Sequence, residues 1–184
     1  WQQMIERRAF AYSGMTVFDE VDGSPLHFRA DALGRTHLGH IVENGLLVDT
    51  LWQAVLNESG VRLICPDKIA AIDNADDWAC LRLQSGQEIC ARLAIGADGA
   101  GSKVRSLAGI ESDEHDYRQK GLVAFVETGL PHRNTAWQRF LSTGPLAFLP
   151  FGEKVCSIVW SLPEAKADEL LAEYPAKFCL ALES

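Results

Sequence analysis

The sequence predicts a mixed α/β (α+β) fold, in which an α/β unit is interleaved with antiparallel sheet. Extended segments bounded by turn residues occur towards both ends of the chain, at residues 15–29 and 121–161, as in antiparallel sheets. A segment of helical period and a glycine-rich strand-to-helix turn lie between them, at residues 43–57 and 93–105. That succession is typical of an α/β unit.

The first elements are a hairpin and an amphipathic helix. Residues 15–29 are predicted to form a β-hairpin, because two extended segments flank Asp22-Gly23, a dipeptide suited to tight turns. A helix is predicted over residues 43–57, and Gly60 supplies its stop. Its apolar residues recur at helical spacing, at Leu47, Leu51, Ala54 and Val55.

Short strands follow as a meander with a turn at Ser85-Gly86. The meander leads into residues 93–95, an apolar run of the kind found in a buried parallel strand. The meander strands are predicted at residues 61–65, 68–73, 78–83 and 88–91.

The stretch LAIGADGAGSKVR is the most informative turn in the chain. Gly96, Gly99 and Gly101 allow positive φ and a close approach by a ligand. Asp98 lies where the strand ends, and Ser102 is placed to cap the following helix. The free N–H groups and the positive end of that helix favour an anion such as a pyrophosphate. Together these features suggest a cofactor site, although the G-x-x-G-x-G spacing is not the usual dinucleotide fingerprint and no acid follows at the end of a second strand about 20 residues further on.

Beyond the polar stretch at residues 111–116 the chain is again rich in strands, which we expect to form an antiparallel sheet. Pro163 then opens a helix and Pro175 opens another, as proline does at the first helical position. The strands are predicted at residues 121–128, 137–142, 145–150 and 155–161.

Composition excludes several classes of protein. Of the 184 residues, 47% are hydrophobic and 23% charged, which is too apolar for a disordered chain. Apolar runs are too short to cross a bilayer. The net charge of −8 leaves no basic stripe for nucleic acid, so no nucleic-acid partner is expected.

The cysteines and histidines give no sign of a metal site. The five cysteines are odd in number and include no C-x-x-C pair. We therefore interpret them as buried free thiols in a reducing compartment. His37 and His40 are three residues apart, but no further ligands complete a tetrahedral set, so no metal is expected.

Several motifs carry a family resemblance. GADGAGSKVR resembles the second nucleotide-binding motif of the flavin-dependent aromatic hydroxylases. HLGHIVEN at residues 37–44, GPLAFLP at residues 144–150 and SIVW at residues 157–160 are similar to the ubiquinone-biosynthesis branch of that family, most of all to its 2-octaprenylphenol hydroxylases. The resemblance covers nearly the whole chain, in the right order.

The resemblance implies a class A flavoprotein monooxygenase that binds FAD. Such an enzyme takes a hydride from NAD(P)H as co-substrate and hydroxylates a prenylated phenol with O2 through a flavin hydroperoxide. The implied fold is part of an FAD/NAD(P)-binding domain interleaved with an antiparallel-sheet substrate domain. We expect residues 1–38 and 112–184 to belong to the substrate domain and residues 39–111 to the FAD-binding domain. The family's N-terminal and C-terminal FAD motifs are absent, so we expect a central fragment that is inactive alone.

The resemblance also implies site residues. Asp98 and Gly99 correspond to the Asp-Gly pair that approaches FAD and its pyrophosphate, and Ser102 and Arg105 support the turn. Gly96 and Asn44 complete the expected cofactor-binding set, with Asn44 a feature of the ubiquinone branch. The implied substrate pocket consists of Phe148, Leu149, Pro150 and Trp160. No catalytic residue is assigned.

Each assignment has a structural alternative. Asp98 alone could be a turn residue or helix cap. Arg105 could pair with Glu111 or Asp113 on the surface. The pocket residues could be ordinary sheet core.

The function also has alternatives. One is a related FAD-dependent oxidoreductase or halogenase of the same fold, and another is a non-catalytic binding module. We expect a cytoplasmic protein. Because a prenylated quinone precursor lies in the membrane, the resemblance implies peripheral association with the inner face of the membrane or with a ubiquinone-biosynthesis complex.

Overall fold

The computed structural model describes residues 2–20, 23–75, 77–172 and 175–183. The chain divides into two compact units. Residues Val55–His115 form one unit, and the described residues on both sides of that segment form the other. The predicted domain boundaries after residues 38 and 111 stay predictions.

Helices and strands alternate irregularly along the chain. The α-helices of the described residues are α1 (Gln2–Arg8), α2 (Asn44–Leu56), α3 (Lys103–Leu107), α4 (Glu164–Ala172) and α5 (Pro175–Glu183). The strands are β1 (Ala9–Tyr12), β2 (Gly14–Asp19), β3 (Leu26–Arg29), β4 (Gly39–Val42), β5 (Ile69–Asn74), β6 (Ala79–Leu83), β7 (Glu88–Ala91), β8 (Gln119–Glu127), β9 (Thr135–Leu141), β10 (Gly144–Pro150) and β11 (Val155–Pro163).

A six-stranded sheet in the order β3-β2-β9-β10-β11-β8 dominates the discontinuous unit. Its neighbouring strands are antiparallel except β2 and β9, which run parallel. The predicted hairpin is confirmed by the pairing of β2 with β3; Asp22 of its predicted turn lies outside the described residues. A separate two-stranded sheet pairs β1 with β4.

Strands β8 to β11 follow the prediction closely, because turns mark their ends in the sequence. Gly144, at the start of β10, has a φ of 132°. A Cβ at this position would collide with the Ser161 carbonyl oxygen on the neighbouring strand. Glycine is therefore required where β9 turns into β10.

The main core lies between this sheet and the last two helices. Alternate side chains of the strands point to one face, where α4 and α5 cover them. Burying a large apolar side chain in such a core stabilises the fold by about 1.5–3 kcal/mol. The buried members are Leu122, Leu146, Trp160, Leu162, Ala167 and Leu170.

The continuous unit contains a three-stranded antiparallel sheet in the order β5-β6-β7, followed by α3. Two predicted strands do not form. Residues 61–65 and residues 93–95 pair with no strand in the part of the chain that the structure describes. Leu93 and Ile95 are 72% and 79% exposed. The prediction of a buried strand was wrong for this chain, since an apolar run becomes a strand only where a neighbour supplies hydrogen bonds.

The prediction of five buried free thiols was also wrong. Cys80 and Cys90 form a disulfide. They lie directly opposite each other on β6 and β7, with Cα atoms 4.1 Å apart, a spacing that brings the two sulfur atoms within bonding distance. The other three are free, but only Cys156 is buried, whereas Cys65 and Cys179 are exposed.

Candidate cofactor-binding turn and substrate cavities

The Asp98 carboxylate is held by donors at the start of α3. Its Oδ1 accepts a hydrogen bond from Ser102 Oγ at 2.5 Å. Its Oδ2 accepts from the backbone N–H groups of Lys103 at 2.7 Å and Val104 at 3.1 Å. Hydrogen bonding by Ser102, followed by the backbone N–H of Val104, lowers the pKa of Asp98 below its ordinary value. The side chain is thus ionised at neutral pH and fixed in orientation.

These bonds correct one expectation. The N–H groups at the start of the helix were predicted to be free to bind an anion. Two of them, those of Lys103 and Val104, donate hydrogen bonds to Asp98 instead. Ser102 is the N-cap as predicted, since its Oγ accepts from Arg105 N at 3.0 Å. The aspartate neutralises the positive end of α3 from within the chain.

The three glycines of the turn differ in backbone conformation and in how closely other atoms approach them. Gly99 has a φ of 84°, and a Cβ placed there would meet no atom within 4 Å. Its backbone is therefore open to a ligand. A Cβ on Gly96 would lie 3.0 Å from Val104 Cγ1, so Gly96 allows α3 to pack closely against the preceding segment. Gly101 has neither restriction.

Arg105 pairs with an acid that the sequence interpretation did not select. Its Nη2 lies 3.6 Å from Glu114 Oε1, and the glutamate side chain is largely exposed. A pair of this kind contributes under about 1 kcal/mol. The arginine therefore pairs with Glu114 of the acidic loop at residues 111–116, rather than with Glu111 or Asp113 of the same loop.

Asn44 is the first residue of α2 and belongs to the other unit. Its side chain is exposed. Beside it, Arg8 Nη1 donates to both carboxylate oxygens of Glu43, at 2.8 and 3.0 Å. One turn further along α2, Asp49 pairs with Arg7 at 3.3 Å.

The structure distributes the predicted pocket residues over two faces of the six-stranded sheet. Phe148, Pro150 and Trp160 share one face, whereas Leu149 belongs to the opposite face, as the register of β10 against β11 requires. Trp160 is 6% exposed and packs in the core beneath α4 and α5. Its buried Nε1 has no hydrogen-bond partner among the described residues. Pro150 is fully buried.

Phe148 lines an apolar cavity of about 380 Å³, together with residues that the sequence interpretation did not select. The strand register contained part of this signal, because Trp137 on β9 lies opposite Phe148. The remaining lining comes from the loop between β8 and β9 and from Cys156 on β11. No local pattern marks those positions.

A second, polar cavity of about 580 Å³ lies over β3, β2 and β9 and shares Trp137 with the first. Arg29 there donates to both oxygens of Asp31, at 3.0 and 2.5 Å. This bond and the positive charge of Arg29 lower the pKa of the Asp31 carboxyl. Thr16 Oγ1 lies 3.1 Å from His27 Nδ1.

The described residues show neither a metal-binding cluster nor a membrane-spanning helix. No group of three or more His, Cys, Asp or Glu side chains is arranged to hold a metal ion. None of the helices combines the length and apolar character that a bilayer crossing demands.

The chain is similar in sequence to known enzymes. No family model matches the chain. The mitochondrial ubiquinone biosynthesis monooxygenase COQ6 of Xenopus tropicalis is 33% identical over 182 residues, covering 94% of this chain and 39% of the relative. The 3-demethoxyubiquinol 3-hydroxylase of Escherichia coli is 34% identical over 170 residues, covering 92% and 43%. The chain therefore spans about two fifths of the length of these curated relatives.

Solved structures share the fold. PqsL, a probable FAD-dependent monooxygenase from Pseudomonas aeruginosa, superposes with a TM-score of 0.75 at 23% identity, covering 94% of this chain and 48% of that one. Klebsiella pneumoniae HpxO complexed with FAD and uric acid gives 0.65 at 14%, covering 88% and 42%. The flavin-dependent halogenase CmlS gives 0.66 at 15%, covering 98% and 34%.

The predicted fold class is confirmed: the chain has the fold of the FAD-dependent monooxygenases, which a flavin-dependent halogenase shares. Within that class, the chain is a homologue of the ubiquinone-biosynthesis monooxygenases, represented by COQ6 and 3-demethoxyubiquinol 3-hydroxylase. The family resemblance of the sequence motifs is thereby confirmed.

Proposed function

We propose that the protein is an FAD-dependent monooxygenase that hydroxylates a prenylated phenol in ubiquinone biosynthesis, with NAD(P)H and O2 as co-substrates. The observation that carries this proposal is identity of 33–34% to ubiquinone-biosynthesis hydroxylases over more than nine tenths of the chain. The fold supports the cofactor but does not separate hydroxylation from halogenation, since both chemistries occur on it.

The turn at Asp98 has groups that suit FAD. An ionised carboxylate repels phosphate but accepts hydrogen bonds from hydroxyl groups, such as those of the ribityl chain. The open backbone at Gly99 lets a ligand approach without meeting a side chain. We assign Asp98 to a hydroxyl of FAD and the backbone around Gly99 to its pyrophosphate. Gly96, Ser102 and Arg105 hold the turn, and Asn44 belongs to the same proposed cofactor set.

Bound FAD would supply the electron transfer and the oxygen chemistry. The chain's own contribution is to orient the phenol and exclude water, which needs an apolar enclosure more than an acid and base pair. Phe148 is the member of the predicted substrate pocket that faces a cavity, and we assign to that cavity a part of the substrate other than the reacting ring. Trp160 and Pro150 support it from the core of the same sheet face.

The decisive experiment uses the purified intact protein. We expect a yellow protein with stoichiometric FAD that oxidises NAD(P)H faster when a prenylated phenol is present and inserts one oxygen atom into the ring. Intact protein that never retains flavin would contradict the proposal. Halide incorporation in place of oxygen would favour the halogenase alternative.

The role of Asp98 needs a variant that separates binding from capping. Asp98→Ala removes both functions, whereas Ser102→Ala removes one cap and leaves the carboxylate. We expect FAD affinity to fall at least about tenfold in Asp98→Ala, as the loss of a charged hydrogen-bond partner implies, and far less in Ser102→Ala. If FAD affinity merely follows the loss of stability in both variants, Asp98 is only a helix cap.

The substrate also bears on location. Prenylated phenols partition into membranes, so we propose peripheral contact with a membrane surface or with a ubiquinone-biosynthesis complex. Co-sedimentation of the intact protein with lipid vesicles tests the first option, and the absence of any vesicle-bound protein would leave only the complex.

A further inference from the structure

We propose that the apolar cavity beside Phe148 holds the isoprenoid tail of the substrate, separately from the aromatic ring that is hydroxylated. The inference rests on the proposed function, which supplies a prenylated phenol. The cavity of about 380 Å³ lies wholly within the discontinuous unit and falls within the usual size of ligand pockets.

The floor of the cavity consists of apolar side chains from adjacent strands. Trp137 on β9 lies opposite Phe148 on β10, and Cys156 on β11 completes the floor. Cys156 is 1% exposed, and its burial raises the pKa of its thiol, so it presents a neutral, weakly polar surface. A hydrocarbon can contact all three without desolvating a charge.

The polar groups of the lining are already hydrogen-bonded. Thr128 Oγ1 donates to the Leu130 carbonyl at 2.7 Å and approaches the Lys154 carbonyl at 3.1 Å. His132 is 9% exposed; its Nδ1 accepts from Asn134 N at 3.0 Å, and its Nε2 contacts the Gly152 carbonyl oxygen. A polar ligand would find these donors and acceptors taken, whereas an apolar group loses nothing there.

One charged side chain, Arg133, is found in the lining that the structure describes. It is exposed and also borders the neighbouring polar cavity. A long arginine can place its stem along apolar surface while its guanidinium stays in water. Arg133 therefore marks the boundary between the apolar cavity and the polar one.

The rim of the cavity contains a leucine whose exposure to solvent has no explanation in the packing of the fold. Leu130 is 81% exposed although it lines the cavity. An isoprenoid chain in the cavity would cover this side chain and gain from the burial of apolar surface. The neighbouring polar cavity differs in that an Arg29–Asp31 ion pair lies in its lining.

The first test needs no flavin. Geraniol, an alcohol of two isoprene units, is titrated into the intact protein by calorimetry. We expect one saturable site whose affinity falls at least about tenfold in Leu130→Glu, because a charge at the rim is costly to cover with hydrocarbon. Leu171→Glu is the matched control, since Leu171 is also exposed, at 66%, and lies on α4 outside the cavity lining.

The second test compares two phenols with the same ring, one carrying a methyl group and one a geranyl group. The geranyl phenol should have a KM at least about tenfold lower, since a single methylene in an apolar pocket already accounts for roughly that factor. Leu130→Glu should abolish this ratio of KM values, and Leu171→Glu should preserve it.

The outcomes are distinct. The tail site is refuted by any of three results: geraniol shows no saturable binding, geraniol affinity falls equally in Leu130→Glu and Leu171→Glu, or KM does not depend on tail length. Geraniol binding that depends on Leu130, in a protein that neither holds FAD nor turns over a phenol, overturns the proposed function and leaves an isoprenoid site. Binding and KM ratio lost together in Leu130→Glu alone support both.

Discussion

Replacement of Gly96 by alanine tests the packing that holds the Asp98 turn. The new Cβ would lie 3.0 Å from Val104 Cγ1 and 3.1 Å from Val104 Cβ. Carbon atoms pack best at about 3.5–4.0 Å, so α3 or the turn must move by several tenths of an ångström. We expect Gly96→Ala to lower the free energy of unfolding by about 1–3 kcal/mol, as overpacking usually does.

Two further variants give this prediction a control and a rescue. Gly101→Ala meets no atom within 4 Å and has no positive φ, so its free energy of unfolding should stay within about 0.5 kcal/mol of the wild type. Val104→Ala removes Cγ1, the methyl group that lies at 3.0 Å, but keeps the Cβ at 3.1 Å, so the double variant Gly96→Ala/Val104→Ala should recover part of the loss and be more stable than the sum of the single losses by about 0.5 kcal/mol or more.

Urea titration of the intact protein, followed by circular dichroism and fluorescence, measures these differences. Equal stability of Gly96→Ala and Gly101→Ala, or strict additivity in the double variant, would refute the packing argument. Glycine at position 96 would then be needed only for cofactor binding, and Gly96→Ala should lower FAD affinity without changing the free energy of unfolding.

Three other predictions follow from the fold. Gly144→Ala should destabilise the sheet by about 3 kcal/mol or more, because its Cβ meets a backbone carbonyl that cannot move aside, whereas Gly121→Ala, with no atom within 4 Å, should cost under about 1 kcal/mol in urea titration. The lowered pKa of Asp98 means that its contribution to stability is present above its ordinary value of 3.8 and is lost as pH falls through the lower folded value; the difference in unfolding free energy between wild type and Asp98→Asn should shrink from pH 7 to pH 3, and a constant difference would refute it. Reduction should lower the stability by about 2–3 kcal/mol through loss of the Cys80–Cys90 disulfide, and the Cys80→Ser/Cys90→Ser variant should not respond to dithiothreitol.

Local signals predicted the elements well where the chain also supplies their neighbours. Strands β8 to β11 and helix α2 lie within a few residues of their predicted bounds, because turns and helical spacing are properties of short segments. The strand predicted at residues 93–95 does not form, because an apolar run alone does not supply the neighbouring strand that its backbone would pair with. The parallel pairing of β2 with β9 joins residues more than a hundred positions apart, and no local pattern encodes it.

The disulfide is a different kind of failure, because the signal was present. Cys80 and Cys90 each lie five residues from Ser85, so a hairpin with the three-residue loop Gln84-Ser85-Gly86 puts them opposite each other. A two-residue turn at Ser85-Gly86 would pair Cys80 with Ala91 instead. The number of cysteines and the lack of a C-x-x-C pair carry no information about which cysteines face each other across a hairpin.

The apolar cavity, in contrast, is lined by residues from three strands and a loop, and only Phe148 among these residues belongs to a recognisable sequence motif.

The Asp98 turn shows how a structural role and a binding role can reside in one side chain. The carboxylate accepts three hydrogen bonds from Ser102, Lys103 and Val104, which fix its position before any ligand arrives. A carboxylate has about four lone-pair sites, so one acceptor position remains for a hydroxyl group. Because the side chain is already ordered, such a hydroxyl would bind without the entropy cost of orienting it. Capping thus prepares Asp98 for a cofactor, and the comparison of Asp98→Ala with Ser102→Ala separates the two contributions.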